Sequence, residues 1–271
     1  MDEGAIMPAT FYVVGVGPGD PRLLTLRAAE VLRHCPVWLV PSAFADGEHG
    51  GQSGSMALKI AESAVASEGK IIISHHFPMK PVPMRRRQTG GGESVAPEVA
   101  ASWRWAAATV IAHLAAGRDV AFPTLGDPAI YSTGFYLLET LRAAKTGIGI
   151  EVIPGVSSPS SASAEAISPL CLGDERTVII PAAFDDQGIR ELLAICQVVV
   201  FMKVHKSIPR LIALLDEFGL TEHAVLVERA SLPNQRLWTD IRQAATVGLH
   251  YFSTMIVRKP PEINHGQVAA P

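Results

Sequence analysis

Cysteine is scarce in this chain of 271 residues: Cys35, Cys171 and Cys196 are odd in number and never spaced as C-x-x-C. That removes a disulfide framework and the common zinc signatures, and makes a reducing cytoplasm the expected setting. An excess of one charge is also missing. Lys and Arg number 23 against 26 Asp and Glu, leaving a net charge of −3 and a pI near 6.3. A nucleic-acid partner held by phosphate neutralisation is therefore disfavoured, and any anionic ligand must be met by local donors. Long apolar runs are absent too. The longest, such as Val198 to Met202, are strand-sized, where a spanning helix needs about 20 residues. The opening Met1-Asp2-Glu3-Gly4 has no basic leader, so we expect a soluble protein that is neither exported nor bound to a membrane. The low-hydrophobicity, high-charge balance of disordered chains is not found either. With 48% apolar and 18% charged residues and a mean hydropathy of +0.24, the chain is expected to fold unaided around a sizeable core.

What is present is an alternation. Short β-branched runs stand at Phe11 to Val16, Val37 to Val40, Ile71 to Ile73, Asp119 to Phe122, Ile150 to Ile153, Val178 to Ile180, Val198 to Met202, Ala224 to Glu228 and Phe252 to Arg258. Helical spacing of apolar residues fills Leu23 to His34, Met56 to Ala66, Val99 to Ala116, Ile130 to Ala144, Ser158 to Ile167 and Ser207 to Phe218. This pattern predicts an α/β fold with mostly parallel strands. The series Leu23, Leu26, Ala29 and Leu32 predicts one buried helical stripe. So many strands are expected to split into two α/β domains, residues 1–123 and 124–260, joined near Pro123 to Asp127, with a frayed tail at 261–271. Pro78 to Pro97, which carries Arg85-Arg86-Arg87 and Gly90-Gly91-Gly92, is expected to be a mobile, exposed loop.

Three strand-to-helix turns carry the chemistry. Gly15-Val16-Gly17-Pro18-Gly19-Asp20-Pro21 invites a dinucleotide-binding reading, but its spacing refuses it. Asp20 stands where the third glycine belongs, and Pro18 removes a backbone donor from the loop that would cradle a pyrophosphate. A capped turn with Asp20 at the helix start is the simpler alternative. Thr124-Leu125-Gly126-Asp127-Pro128-Ala129-Ile130-Tyr131-Ser132-Thr133 follows another strand; there Gly126 lets the backbone approach a ligand, and Asp127 and Pro128 open the next helix. Pro154-Gly155-Val156-Ser157-Ser158 repeats the arrangement, with serines at a helix start. Together with Met202 and Glu228-Arg229-Ala230 at the ends of later strands, the series describes a ligand embraced by many loops, since open α/β sheets bind at the carboxyl ends of their strands.

In this order and spacing, the three turns and the adjoining Leu23-Leu24-Thr25-Leu26 resemble the tetrapyrrole (corrin and porphyrin) methylases over nearly the whole chain, Phe11 to Lys259. The second turn, Ile179-Ile180-Pro181-Ala182, Phe201-Met202-Lys203-Val204 and Tyr251-Phe252-Ser253 are most similar to the branch that methylates carbon 20 of precorrin-2 or cobalt-factor II in cobalamin biosynthesis. The resemblance implies a homodimer of two-domain chains that hold S-adenosylmethionine, and its product S-adenosylhomocysteine, in the cleft between the domains. Carried over position by position, it implies cofactor contacts at Pro18, Leu125, Gly126, Asp127, Ile130, Ser157, Ser158, Met202 and Ala230, and further ones at Ala182 and Thr254. An adenine suits apolar neighbours such as Met202 and Ile130. Lys80 to Glu93 departs from the family pattern, with the arginine triplet and the glycines where an acidic run is usual.

Methyl transfer to an electron-rich ring carbon asks for alignment and dryness rather than a nucleophilic side chain. Asp20, Tyr131, Lys203 and Glu228 border the motif loops and are candidates for accepting the proton that is lost. The substrate's carboxylates call for cations, and Arg85, Arg86, Arg87, Lys203 and Arg229 are the sources at hand; a solvated loop is the other reading of the triplet. His75 and His76 are neighbours on a strand and point to opposite faces, so they make a poor metal pair, and no protein-bound metal is expected. Two alternatives stay open: a related methylase acting at a different tetrapyrrole position, and a non-catalytic α/β module that binds a nucleotide.

Overall fold

The computed structural model describes residues 9–42, 54–78, 95–144 and 147–260. The arginine triplet, most of the expected loop around it and the tail lie outside them. Internal contacts divide the chain into two compact units, residues 1–157 and 158–271.

The first unit is built on β1 (Thr10–Gly15), β2 (Val37–Ser42), β3 (Ile71–His76), β4 (Val120–Thr124) and β5 (Gly149–Ile153), in the spatial order β3-β2-β4-β1-β5 with every pairing parallel. Helices α1 (Leu26–His34) and α2 (Met56–Ala64) cover one face, where Ala28, Val31, Leu32 and Ile60 meet Val14, Trp38 and Val40. On the other face α3 (Pro97–Ala115) and α4 (Gly134–Ala143) bring Val110, Leu137 and Leu141 against Phe11, Val13 and Phe122. With both faces covered, all five residues of β4 are buried, as parallel sheets require. Because β4 and β5 belong to this sheet, the chain divides at Ser157 and not at the expected join near Pro123 to Asp127.

The second unit contains β6 (Thr177–Pro181), β7 (Val198–Met202), β8 (Ala224–Glu228), β9 (Arg236–Trp238) and β10 (Ser253–Arg258), ordered β6-β7-β10-β8-β9. Only β6 and β7 pair in parallel; β10 runs antiparallel to both β7 and β8, and β9 antiparallel to β8. The expectation of mostly parallel strands therefore holds for the first sheet and fails for the second. Strands β8 and β9 are joined by a short turn, which allows antiparallel pairing and has no room for a crossover helix. Helices α6 (Asp186–Ile195), α7 (Ile208–Glu217) and α8 (Ile241–Ala244) supply Ile189, Leu193, Leu211, Leu215 and Ile241 to one core. The small residues of α5 (Ser158–Ala166) cover the opposite face around Ala162. No described helix is long and apolar enough to cross a membrane.

The nine expected strands are all present, within a few residues; β9, α6 and α8 come in addition. Helix α4 starts later than expected because Tyr131 adopts φ +51°, a left-handed conformation that interrupts a helix. Of the stripe through Leu23, Leu26, Ala29 and Leu32, only Ala29 and Leu32 are buried. Leu23 ends a 3-10 turn (Pro21–Leu23) ahead of α1, and Leu26 is 85% exposed. Each i, i+3 step falls about 60° short of a full turn, so such a series rotates off any one face; Ala28 and Val31 complete the buried side with Ala29 and Leu32. Leu26→Ser is accordingly expected to change stability by less than about 0.5 kcal/mol, whereas Leu32→Ala costs about 2–5 kcal/mol. Urea denaturation of the two variants checks this, and a large loss for Leu26→Ser would contradict it.

Candidate functional site

In the first unit, the crossover from β1 passes through α1 on one face of the sheet and that from β4 through α4 on the other. Neighbouring strands whose connections leave in opposite directions form a topological switch point, where open α/β sheets bind ligands beyond the strand ends. Pro18, Asp20, Leu125, Gly126, Asp127, Ile130, Tyr131 and Ser157 all lie on the turns that leave β1, β4 and β5. These turns are tied to one another. Gly17 and Gly126, at φ +78° and +72°, exchange backbone hydrogen bonds: Gly126 N donates to Gly17 O at 2.7 Å, and Gly17 N to Gly126 O at 3.2 Å. A Cβ on Gly155 would stand 2.4 Å from Gly126 O, and one on Gly15 would stand 2.7 Å from Gly155 N, so the three backbones meet where no side chain fits.

Asp127 has a second task that its place in sequence did not announce. One carboxylate oxygen accepts from Ala129 N at 2.7 Å, closing a local turn and not, as expected, opening a helix, since α4 begins only at Gly134; the other accepts from Gly155 N at 2.9 Å. It thereby fastens the turn after β4 to the turn after β5. Asp20 is the expected cap, accepting from Arg22 N at 2.8 Å; the Arg22 side chain also holds its carboxylate and lowers its pKa. Tyr131 is 51% exposed. Desolvation raises its phenol above the ordinary 10.0, so it stays a hydroxyl at neutral pH.

In the second unit, register brings Met202, Thr254 and Ala182 together. Met202 pairs with Thr254 on one side and with Pro181 on the other, and Ala182 N donates to Met202 O at 2.8 Å. All three are buried, Ala182 to 1%, Thr254 to 6% and Met202 to 8% exposure. Alternation along the strands assigns their faces. Met202 follows Val198 and Val200 on the side of α5, and Thr254 follows Ile256 there, with Ala230 packed on the same cluster and Ser158 the first residue of α5. Glu228 instead shares the other face with Leu226 and Ala224, and Ser253 shares it with Met255. Lys203 turns the chain after β7 at φ +61°, its N–H donating to Ser253 O at 2.8 Å and its ammonium lying 5.4 Å from the centre of the Tyr251 ring.

Glu228 is thus set apart from the residues with which sequence order groups it. Its side chain is only 3% exposed and forms an ion pair with Arg236 of β9, whose second nitrogen donates at 3.0 Å; His250 N donates at 2.5 Å. Burial alone would raise the Glu228 pKa, but the Arg236 guanidinium and the His250 N–H outweigh it and hold the carboxyl below its ordinary 4.5. A carboxylate so engaged is a brace between β8, β9 and the segment before β10. His75, singled out in sequence beside His76, stacks on Trp105 at 4.0 Å, and its Nε2 bonds Ser102 Oγ at 2.9 Å.

A family model for tetrapyrrole (corrin/porphyrin) methylases matches residues 10–245. The chain is 31% identical over 254 residues to a cobalt-precorrin-2 C(20)-methyltransferase of Salmonella typhimurium, covering 93% of this chain and 98% of that protein. It is 30% identical over 244 residues to a precorrin-2 C(20)-methyltransferase of a Sinorhizobium species, covering 90% and 93%. Among solved structures, a uroporphyrin-III C-methyltransferase of Thermus thermophilus complexed with S-adenosylhomocysteine superposes with a TM-score of 0.60 at 20% identity, covering 92% of each chain; at that identity the likeness is one of fold.

The Glu228 brace makes a testable statement about pH. A carboxyl whose folded pKa is depressed contributes stability above its unfolded pKa and loses it as pH falls through the folded value. Glu228→Gln is expected to cost about 2 kcal/mol at pH 7, with the gap to wild type closing as pH drops below 4.5. Denaturant midpoints of both proteins across that range measure it; a gap independent of pH would show that the charge of Glu228 contributes nothing.

Proposed function

Since the chain belongs to the tetrapyrrole (corrin/porphyrin) methylases, we propose that it is the S-adenosylmethionine-dependent methyltransferase that methylates carbon 20 of precorrin-2, or of its cobalt-bearing form, in cobalamin biosynthesis. The observation that carries this reading is similarity from end to end, 31% identity over 93% of the chain, to a protein named for that reaction. Two related substrates remain, because the relatives at 31% and 30% identity are named for the cobalt-bearing and the metal-free compound respectively.

The residues fit the cofactor. Met202 offers a nearly dry apolar surface beside the Thr254 hydroxyl, the combination an adenosine takes; the Ala182 side chain packs on the opposite face of the sheet, so its assigned contact is through the backbone. The turns at Pro18, Leu125, Gly126, Asp127 and Ile130, with Ser157, Ser158 and Ala230, are the remaining contacts we assign to it. When bound, S-adenosylmethionine supplies an electrophilic methyl group on a sulfonium. What this chain contributes is alignment and exclusion of water, since a reduced tetrapyrrole carbon is already nucleophilic. Asp20 is held by Arg22 and Glu228 by Arg236; we assign the Tyr131 hydroxyl at the switch point and the Lys203 cation to the substrate side. Arg85, Arg86 and Arg87, which lie outside the described residues, keep their assignment to the substrate's carboxylates.

A homodimer and a cytoplasmic setting belong to the same reading. Large apolar side chains left exposed in the first unit, among them Trp105 at 46% and Phe135 at 37%, support the first; the free cysteines Cys35, Cys171 and Cys196 support the second. Purified protein given S-adenosylmethionine and either form of precorrin-2 is expected to yield a product one methyl group heavier, and equilibrium dialysis to retain S-adenosylmethionine over ATP and NAD. Turnover with neither substrate, together with unselective retention, would leave a nucleotide-binding module. Sedimentation equilibrium at micromolar concentration is expected to report twice the chain mass of 28.9 kDa; a single chain mass would overturn the dimer.

A further inference from the structure

The turn that carries Ala182 leaves β6, enters α6, and is held by a side chain from a later helix. Its amides are used locally: Ala182 N donates to Met202 O at 2.8 Å, and Phe184 N to Pro181 O at 3.1 Å. Two of its carbonyls are met by Arg210, in the first turn of α7. Arg210 Nη1 donates to Ala182 O at 2.9 Å, Nη2 donates to Phe184 O, and Nε donates to Asp186 Oδ1. All three nitrogens of one guanidinium are thus engaged on a single stretch, Ala182 to Asp186.

Neither the helix nor the ion pair accounts for an arginine at this place. A cation in the first turn opposes the helix dipole, and α7 has no acidic residue there to offset it. Half-exposed ion pairs contribute little, and Arg210 with Asp186 is about as exposed as Arg190 with Glu217, which joins α6 to α7 through two hydrogen bonds of its own. The two carbonyls set Arg210 apart. Its base is firm, because Ile208, Leu211, Leu214 and Leu215 bury the apolar side of α7 in the core. A planar fork on a fixed helix holds the turn in one place. Ala182 passes the restraint on: its amide bonds the carbonyl of Met202, the last residue of β7. One guanidinium therefore sets the ends of two neighbouring parallel strands.

We propose that Arg210 is a positioning residue for S-adenosylmethionine, which fixes the Ala182 peptide and, through it, the strand end that carries Met202. The identity of the ligand rests on the methylase reading above, which assigns Ala182 and Met202 to the cofactor; the bonds of Arg210 are independent of it.

Four variants test this: Arg210→Met removes all three bonds and keeps the stem, Arg210→Lys keeps the charge without the fork, Asp186→Asn removes the ion pair and leaves the carbonyl bonds, and Arg190→Met removes the comparable pair elsewhere. The readouts are the calorimetric Kd of S-adenosylhomocysteine, hydrogen exchange of the Ala182 amide without ligand, and KM for S-adenosylmethionine and for precorrin-2. Arg210→Met is expected to raise the Kd and the KM for S-adenosylmethionine about 10-fold and to speed Ala182 exchange by a similar factor, with KM for precorrin-2 within about twofold. Arg210→Lys is expected to weaken binding about threefold, and Asp186→Asn and Arg190→Met by less than about twofold. An unchanged Kd in a folded Arg210→Met would overturn the proposal, as would an equal loss in Arg190→Met, which would mark a general effect of stability. Should Arg210→Met not fold, Arg210→Lys decides in its place, threefold weaker binding against none. Wild type that binds no S-adenosylhomocysteine would overturn the methylase reading and the proposal with it, whereas wild type that binds it no better than Arg210→Met overturns the proposal alone.

Discussion

Three glycine backbones in contact govern the first unit. Gly15, Gly126 and Gly155 end three neighbouring parallel strands, and the spaces between them are too small for a single methyl group, with hypothetical Cβ positions at Gly15 and Gly155 falling 2.4–2.8 Å from backbone atoms. Such proximity lets the Gly17 and Gly126 amides and carbonyls satisfy one another, and brings the Asp127 carboxylate to Gly155 N at 2.9 Å. The turns after β1, β4 and β5 therefore form one rigid rim at the switch point of the sheet. A methyl transfer that depends on alignment needs such a rim more than it needs a reactive side chain.

In the second unit the governing constraint is strand alternation. Met202 and Thr254 are paired directly across β7 and β10, and so fall on one face. Glu228 and Ser253, paired across β8 and β10, fall on the other. One sheet thus separates an apolar, hydroxyl-bearing patch suited to an adenosine from the Glu228 carboxylate and its ion pair with Arg236. Proximity in sequence between Glu228 and Ala230 is misleading here, because the first faces α8 and the second faces α5.

The series of strand-to-helix turns was legible in the amino-acid order, since each consists of a β-branched run, a glycine and a capping residue, all local signals. The partners of Asp127 and Glu228 were not, because Gly155 lies 28 residues from the first, while Arg236 and the His250 amide lie 8 and 22 from the second. Nothing in either carboxylate's neighbourhood marks those distances. The short β9 and the polar-faced α6 went unread for a related reason: three residues of strand are too few to show a period, and Asp186–Ile195 carries charged residues among its apolar ones.

By itself, the sequence determined the kinds of element, their order, and a run of motifs shared with the tetrapyrrole methylases, because propensity, capping and turn chemistry act within a few residues. Only the tertiary structure decided strand direction in the second sheet, the division of the chain at Ser157, which face receives Met202 and which receives Glu228, and the exposure of Leu26. A β-branched run has the same two-residue period whether its neighbour is parallel or antiparallel. Direction, register and burial are properties of pairs of segments, and they come into being when those segments meet.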